Sequence, residues 1–221
     1  MQSDGAMNRP FATDAGCHRP FADILRPNVN ILSVRRPFDR SVARIVAGVA
    51  RGRAFELSAR IDVGQPDPSP LLEHVADPRA RRLLARDIVW LVGEFGALLG
   101  KKHLHAELSV VRADGCRKFH ADNVTIRLLC TYVGPGTEWI ADADVVRPNL
   151  AHIERDVAEF NRSVLRRDDA IRRCAAGEVL LLKGKARPGN RSGGAVHRSP
   201  PIEAQGLRRL LLKIDEHPCG C

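Results

Sequence analysis

A chain of 221 residues has room for one well-buried core and too little for two large domains. Its 44% hydrophobic and 28% charged residues exclude a mostly disordered chain, and the longest apolar run, Ile88 to Leu99, is cut by Glu94 and too short for a bilayer. The net charge of +9 comes from dispersed arginines, with no basic block and no aromatic steps between them, so no membrane partner is expected and a basic nucleic-acid-binding module stands only as a third reading, carried by charge alone.

Six cysteines at 17, 116, 130, 174, 219 and 221 form no CxxC pair, which fits reduced thiols and a cytoplasmic protein. Residues 1–27 mix Gly, Pro, Asp and Arg without periodicity and read as a flexible leader. Residues 28–215 read as one folded domain. The tail, 216–221, carries Cys219 and Cys221 beside His217, a weak accessory site for a soft metal.

Within the domain, Asn28 to Val34 has the composition of a short strand. Val42, Ile45, Val46 and Val49 repeat at helical spacing behind Asp39, a plausible cap, and a short extended piece follows from Ala54 to Ile61. The clearest helix opens at Asp77 with Pro78 in its first turn and closes at Gly100; Leu84, Ile88, Leu91, Phe95 and Leu98 give it one apolar stripe. Beyond it the period becomes two: Leu104, Ala106, Leu108 and Val110 alternate with His103, His105, Glu107 and Ser109, a half-buried strand.

A turn at Ala113-Asp114-Gly115 leads into Cys116-Arg117-Lys118-Phe119-His120-Ala121-Asp122-Asn123. Read as a strand, this stretch puts His120 and Asp122 on one face, in parity with Val124, Ile126, Leu128, Cys130 and Tyr132. Further on, Leu150, Ile153, Val157 and Phe160 suggest a helix, and Gly177 to Gly184 encloses an apolar central strand. A glycine-rich loop from Lys185 to Ala195 precedes Val196-His197-Arg198-Ser199-Pro200, and a last strand runs from Leu207 to Ile214. His197 is the best third ligand, since two histidines and one carboxylate suit Fe(II) with open positions.

This order, with an HxD pair, an apolar strand bounded by glycines, a later histidine and an arginine beyond it, resembles the double-stranded β-helix (cupin or jelly-roll-like) oxygenases that use Fe(II) and 2-oxoglutarate. The resemblance implies a mainly β, α+β architecture with flanking helices. It implies His120, Asp122 and His197 as metal ligands and an arginine for the far carboxylate of 2-oxoglutarate. On the last strand Arg208 shares parity with Leu210, Leu212 and Ile214, the apolar set expected inside the barrel, which makes Arg208 the expected anchor and leaves Arg209 outside with Lys213. Tyr132 is the expected hydrogen-bond donor to a cosubstrate oxygen, and a small molecule, with an anionic one in view of Arg117 and Lys118, is the expected substrate.

Cys116 to Asp122, Leu128 to Tyr132, Gly134 to Trp139 and Val196 to Pro201 together resemble the bacterial family catalogued as domain of unknown function 1826. That family brings no established activity. Its association with zinc-homeostasis genes implies an alternative, a cupin-like zinc-handling protein without oxygenase activity that uses the same three ligands with Cys116 and Cys130 as thiol donors.

Overall fold

Apolar periodicity accounts for most of the elements in a computed structural model that describes residues 20–36, 40–152, 156–190 and 193–216. In chain order these are β1 (Ile31–Val34), α1 (Arg40–Arg51), β2 (Phe55–Asp62), α2 (Pro78–Leu99), β3 (His103–Val111), β4 (Ile126–Val133), β5 (Glu138–Ile140), α3 (Val157–Val164), β6 (Ile171–Arg173), β7 (Val179–Lys183), β8 (Val196–Arg198) and β9 (Arg209–Glu216). α2 starts where its chemistry says it should. The Asp77 carboxylate accepts from the Arg79 N–H, and Gly100, at φ 63°, closes the other end in the left-handed conformation that glycine adopts without a side-chain penalty.

The strands form two antiparallel sheets. The large one has the order β1-β7-β4-β9-β3-β2 and the small one β6-β5-β8. A two-way backbone bridge between His120 and His197, 3.0 Å in each direction, adds the rudiment of a fourth strand beside β8. Along the sequence the chain passes from β3 to the His120 bridge, back to β4, across to β5 and β6, back to β7, across to β8 and back to β9. Four central strands facing four smaller ones in this interleaved path make a double-stranded β-helix with helices on one side.

The two faces of the large sheet differ in kind. Leu104, Leu108, Ile126, Leu128, Leu181, Leu210, Leu212 and Ile214 pack against Ile88, Leu91 and Phe95 of α2 in the main core. The opposite face sends Leu129, Leu180, Leu182 and Leu211 toward Trp139, Cys174 and Ala195, which places this second cluster inside the barrel, between the sheets. A third cluster, with Phe119, Val145, Phe160 and Val164, joins α3 to the outer side of the small sheet.

Several expectations need correction. The end of the presumed leader is structured: residues 20–27 contain a short 3₁₀ turn, Ala22–Leu25, and Phe21 and Ile24 are buried in the main core. Large apolar side chains so close to the fold repay burial more than solvation. Residues 113–125 do not form a regular strand, because bends at 123–125 intervene between the HxD pair and β4. Parity therefore does not carry over from His120 to Ile126. Asp39, Cys17, Ile153, His217, Cys219 and Cys221 lie outside the described residues.

Candidate metal centre

His120, Asp122 and His197 come together at the rim of the barrel. One ligand atom from each lies within 4.8 Å of the others. The two Nε2 atoms face the carboxylate, His120 at 3.4 Å from Oδ1 and His197 at 3.2 Å from Oδ2, with ring centroids 4.6 Å apart. Burial is graded: His197 is 7% exposed at its side chain, Asp122 16% and His120 33%. The open side of the group is therefore the His120 side.

The orientation of both rings follows from their backbone. His120 Nδ1 lies 2.9 Å from the Lys118 carbonyl and His197 Nδ1 3.2 Å from the Ala195 carbonyl. A carbonyl only accepts, so each Nδ1 is the donor in these contacts and each Nε2 is the ring atom turned toward the centre. Metal-binding histidines are held in this way. Asn161 of α3 supports the approach: its Oδ1 accepts from the Phe119 N–H and its Nδ2 donates to the Arg117 carbonyl.

Asp122 is held through its backbone as well. Its carbonyl accepts from the Lys185 N–H at 2.8 Å, while Gly184 and Ala186 donate to Thr125 and Val124. A Cβ on Gly184 would lie 2.0 Å from the Val124 carbonyl oxygen, so only glycine lets the chain after β7 run this close to the turn that carries Asp122. Burial alone would raise the Asp122 carboxyl, but both histidines and Arg127 hold it well below the usual carboxylate range. Burial alone would lower the His120 imidazole; the Asp122 carboxylate and the Lys118 carbonyl outweigh it and raise it.

Deeper in the barrel lies Arg209, 2% exposed. Its Nη2 donates to Thr131 Oγ1 at 3.0 Å and Thr137 Oγ1 at 3.2 Å, and its Nε is buried with no partner. Burial lowers its pKa to about 10, only partly offset by Cys174 and Glu138. Thr137 stands two residues before Trp139, which pairs with His197 across β5 and β8. Backbone spacing thus separates Thr137 from the distal histidine by about 7 Å along the strand and about 5 Å across it.

Arg208 and Tyr132 are not part of this site. Arg208 lies on the helix side, where its Nη1 donates to the Arg51 carbonyl at 2.7 Å and covers the end of α1. The two faces of β9 are therefore the reverse of the sequence expectation: its most apolar face is the one sealed against α2, and the polar set Arg209, Lys213 and Asp215 faces the barrel. Tyr132 is buried on the α2 side too, donating to Asp87 Oδ2 at 2.7 Å. Cys130 shares that side, with Arg36 Nη2 at 3.2 Å from its sulfur, and Cys116 is exposed. Among the described residues the ligand group contains no thiol, which removes Cys116 and Cys130 from the zinc alternative.

The fold is a double-stranded β-helix, and two histidines and one carboxylate converge at its rim as a group that could hold a metal ion. The chain belongs to the family described as Protein of unknown function (DUF1826), which matches residues 15–215. Curated proteins give no match. Solved structures that this chain matches include a dioxygenase for auxin oxidation from rice (TM-score 0.46, 12% identity, covering 89% of this chain and 76% of that one). Its Arabidopsis thaliana counterpart, described as a 2-oxoglutarate complex, gives 0.44 at 9% identity, covering 86% and 83%. A Pseudomonas putida prolyl-4-hydroxylase gives 0.43 at 13% identity, covering 90% and 98%. Among the described residues no helix is long and apolar enough to cross a membrane.

Proposed function

We propose that this protein is an Fe(II)- and 2-oxoglutarate-dependent oxygenase acting on a small-molecule substrate. The observation that carries the reading is the orphaned Nε of Arg209, buried inside the barrel whose rim holds His120, Asp122 and His197. A buried guanidinium held by two hydroxyls alone is costly unless an anion meets it, and its planar fork suits a carboxylate. Two neutral imidazoles and a carboxylate suit Fe(II) and leave positions free for a chelating 2-oxo acid and dioxygen.

Iron with 2-oxoglutarate and O₂ supplies an oxidant able to hydroxylate a C–H bond, one oxygen atom entering the product and the other entering succinate as CO₂ is lost. The chain's own residues do the rest. The imidazoles and Asp122 hold the metal, Arg209 holds the distal carboxylate, and Thr131 and Thr137 keep the guanidinium aimed. Leu129, Leu211 and Trp139 line the barrel between them and exclude water.

The test is anaerobic loading with Fe(II) and 2-oxoglutarate, admission of oxygen, and measurement of succinate. Iron-dependent succinate, lost in His197→Ala and Arg209→Met, is expected. Tight metal binding with no effect of 2-oxoglutarate on the protein would instead favour the zinc-handling alternative on the same three N and O donors.

A further inference from the structure

Arg127 of β4 joins the candidate metal centre to β9. Its Nη1 donates to Asp122 Oδ2 at 2.6 Å, while Nε and Nη2 donate to the two oxygens of Asp215 at 2.8 and 2.7 Å. Arg127 and Asp215 are directly opposite in the β4–β9 register, so the side-on pair is fixed at the backbone before Nη1 reaches Asp122. All three side chains are more than four-fifths buried. A bidentate arginine–carboxylate pair of this kind is rigid, and its remaining N–H points where the geometry sends it.

We infer that Arg127 is a positioning residue of the metal centre: it takes Asp122 Oδ2 and leaves Oδ1 as the single oxygen offered to the metal. The inference rests on the reading of His120, Asp122 and His197 as ligands. A carboxylate can bind a metal through one oxygen or two, and a two-oxygen Asp122 would occupy a position that a chelating cosubstrate or dioxygen needs. Binding through both oxygens would require breaking a charge-assisted hydrogen bond of 2.6 Å, among the strongest that a side chain makes. Outer partners that orient a ligand in this way commonly change metal affinity by about 10- to 100-fold when removed.

The test uses the full chain loaded with Mn(II). Binding is followed by electron paramagnetic resonance, and metal-bound water is counted by pulsed measurements in ¹⁷O-labelled water. The wild type should hold Mn(II) with about three waters, the complement of two imidazoles and one oxygen in an octahedral shell. Arg127→Gln should hold the ion with one water fewer, as Asp122 closes onto the metal through both oxygens. Asp215→Asn keeps the Arg127 charge but loosens its fork, and it should move in the same direction by less; it decides the matter if Arg127→Gln fails to fold. A water count equal to wild type in the folded variants overturns the inference whatever the affinity. A wild type that binds no Mn(II) overturns the ligand assignment itself, a distinguishable failure.

Discussion

Arg36 and Arg209 are both buried, and they lie on opposite faces of the large sheet. Arg36, on the α2 side, is fully committed. Its Nε donates to the Gly177 carbonyl at 2.9 Å, Nη1 and Nη2 donate to the two oxygens of Asp87 at 2.6 and 3.1 Å, and the ring of Trp90 lies beneath it at 5.4 Å. Burial opposes its charge, yet the Cys130 sulfur and Asp87 turn the balance and hold its pKa above the ordinary arginine value. Arg209, on the barrel side, has two hydroxyls for Nη2, nothing for Nε and a lowered pKa. One arginine completes a core; the other leaves part of its fork unmet within the described residues.

That contrast can be broken most directly at Arg36. Arg36→Met should destabilise the protein by about 3–5 kcal/mol in urea denaturation, because it leaves the Asp87 carboxylate buried without its counter-charge. Tyr132→Phe removes one hydrogen bond to the same carboxylate and should cost about 1.5–3 kcal/mol, with no change in cosubstrate binding. Arg209→Met should go the other way. Without ligand it should be as stable as wild type or more so by about 1–3 kcal/mol, while any rise in melting temperature that 2-oxoglutarate and metal produce in the wild type should be absent. Equal losses at Arg36 and Arg209 would erase the distinction.

The sign with pH sharpens it further. The ordinary arginine pKa is far above 10, and Arg209 is held at about 10 when folded. The unfolded chain therefore binds more protons there, and the penalty of charging Arg209 is full below the folded value and relieved as pH rises through it. The stability advantage of Arg209→Met over wild type should shrink between pH 9 and about 11, measured as the difference between two denaturation curves so that other titrating groups cancel. Arg36, whose pKa is raised, gives no such window in that range.

The elements were legible where period and punctuation agreed. α2 had a cap, a proline in its first turn, an apolar stripe and a closing glycine, and it falls within a residue of its sequence limits. The alternation of β3 survives from His103 to Leu108 as half-buried and buried faces, and is lost at Ser109, which is buried between Leu108 and Val110. The HxD pair and His197 were legible from their spacing and ligand chemistry, while the inward direction drawn from parity with Val124, Ile126 and Leu128 does not pass the bends at 123–125; the His120–His197 bridge, invisible to local spacing, is what joins them. Asp87 was the missed signal. A carboxylate beside Ile88 on an apolar stripe needs a buried partner, and that requirement would have pointed to Arg36 and to the dry side of the sheet.

The choice between Arg208 and Arg209 failed for a physical reason that a small experiment exposes. A strand in a two-sheet barrel packed on helices has two inside faces. The face against the helices is the drier, and the face toward the barrel carries Arg209, Lys213 and Asp215. Leu210, Leu212 and Ile214 mark the first, so Arg208, in their register, reaches past the edge to the end of α1, where it donates to the exposed Arg51 carbonyl. Arg208→Ala should cost less than about 1 kcal/mol, the usual worth of a cation at an exposed helix end, and leave the ligand-induced melting shift at its wild-type size. Loss of that shift in Arg208→Ala, with Arg209→Met retaining it, would reverse the assignment of the two faces and with it the proposed carboxylate site.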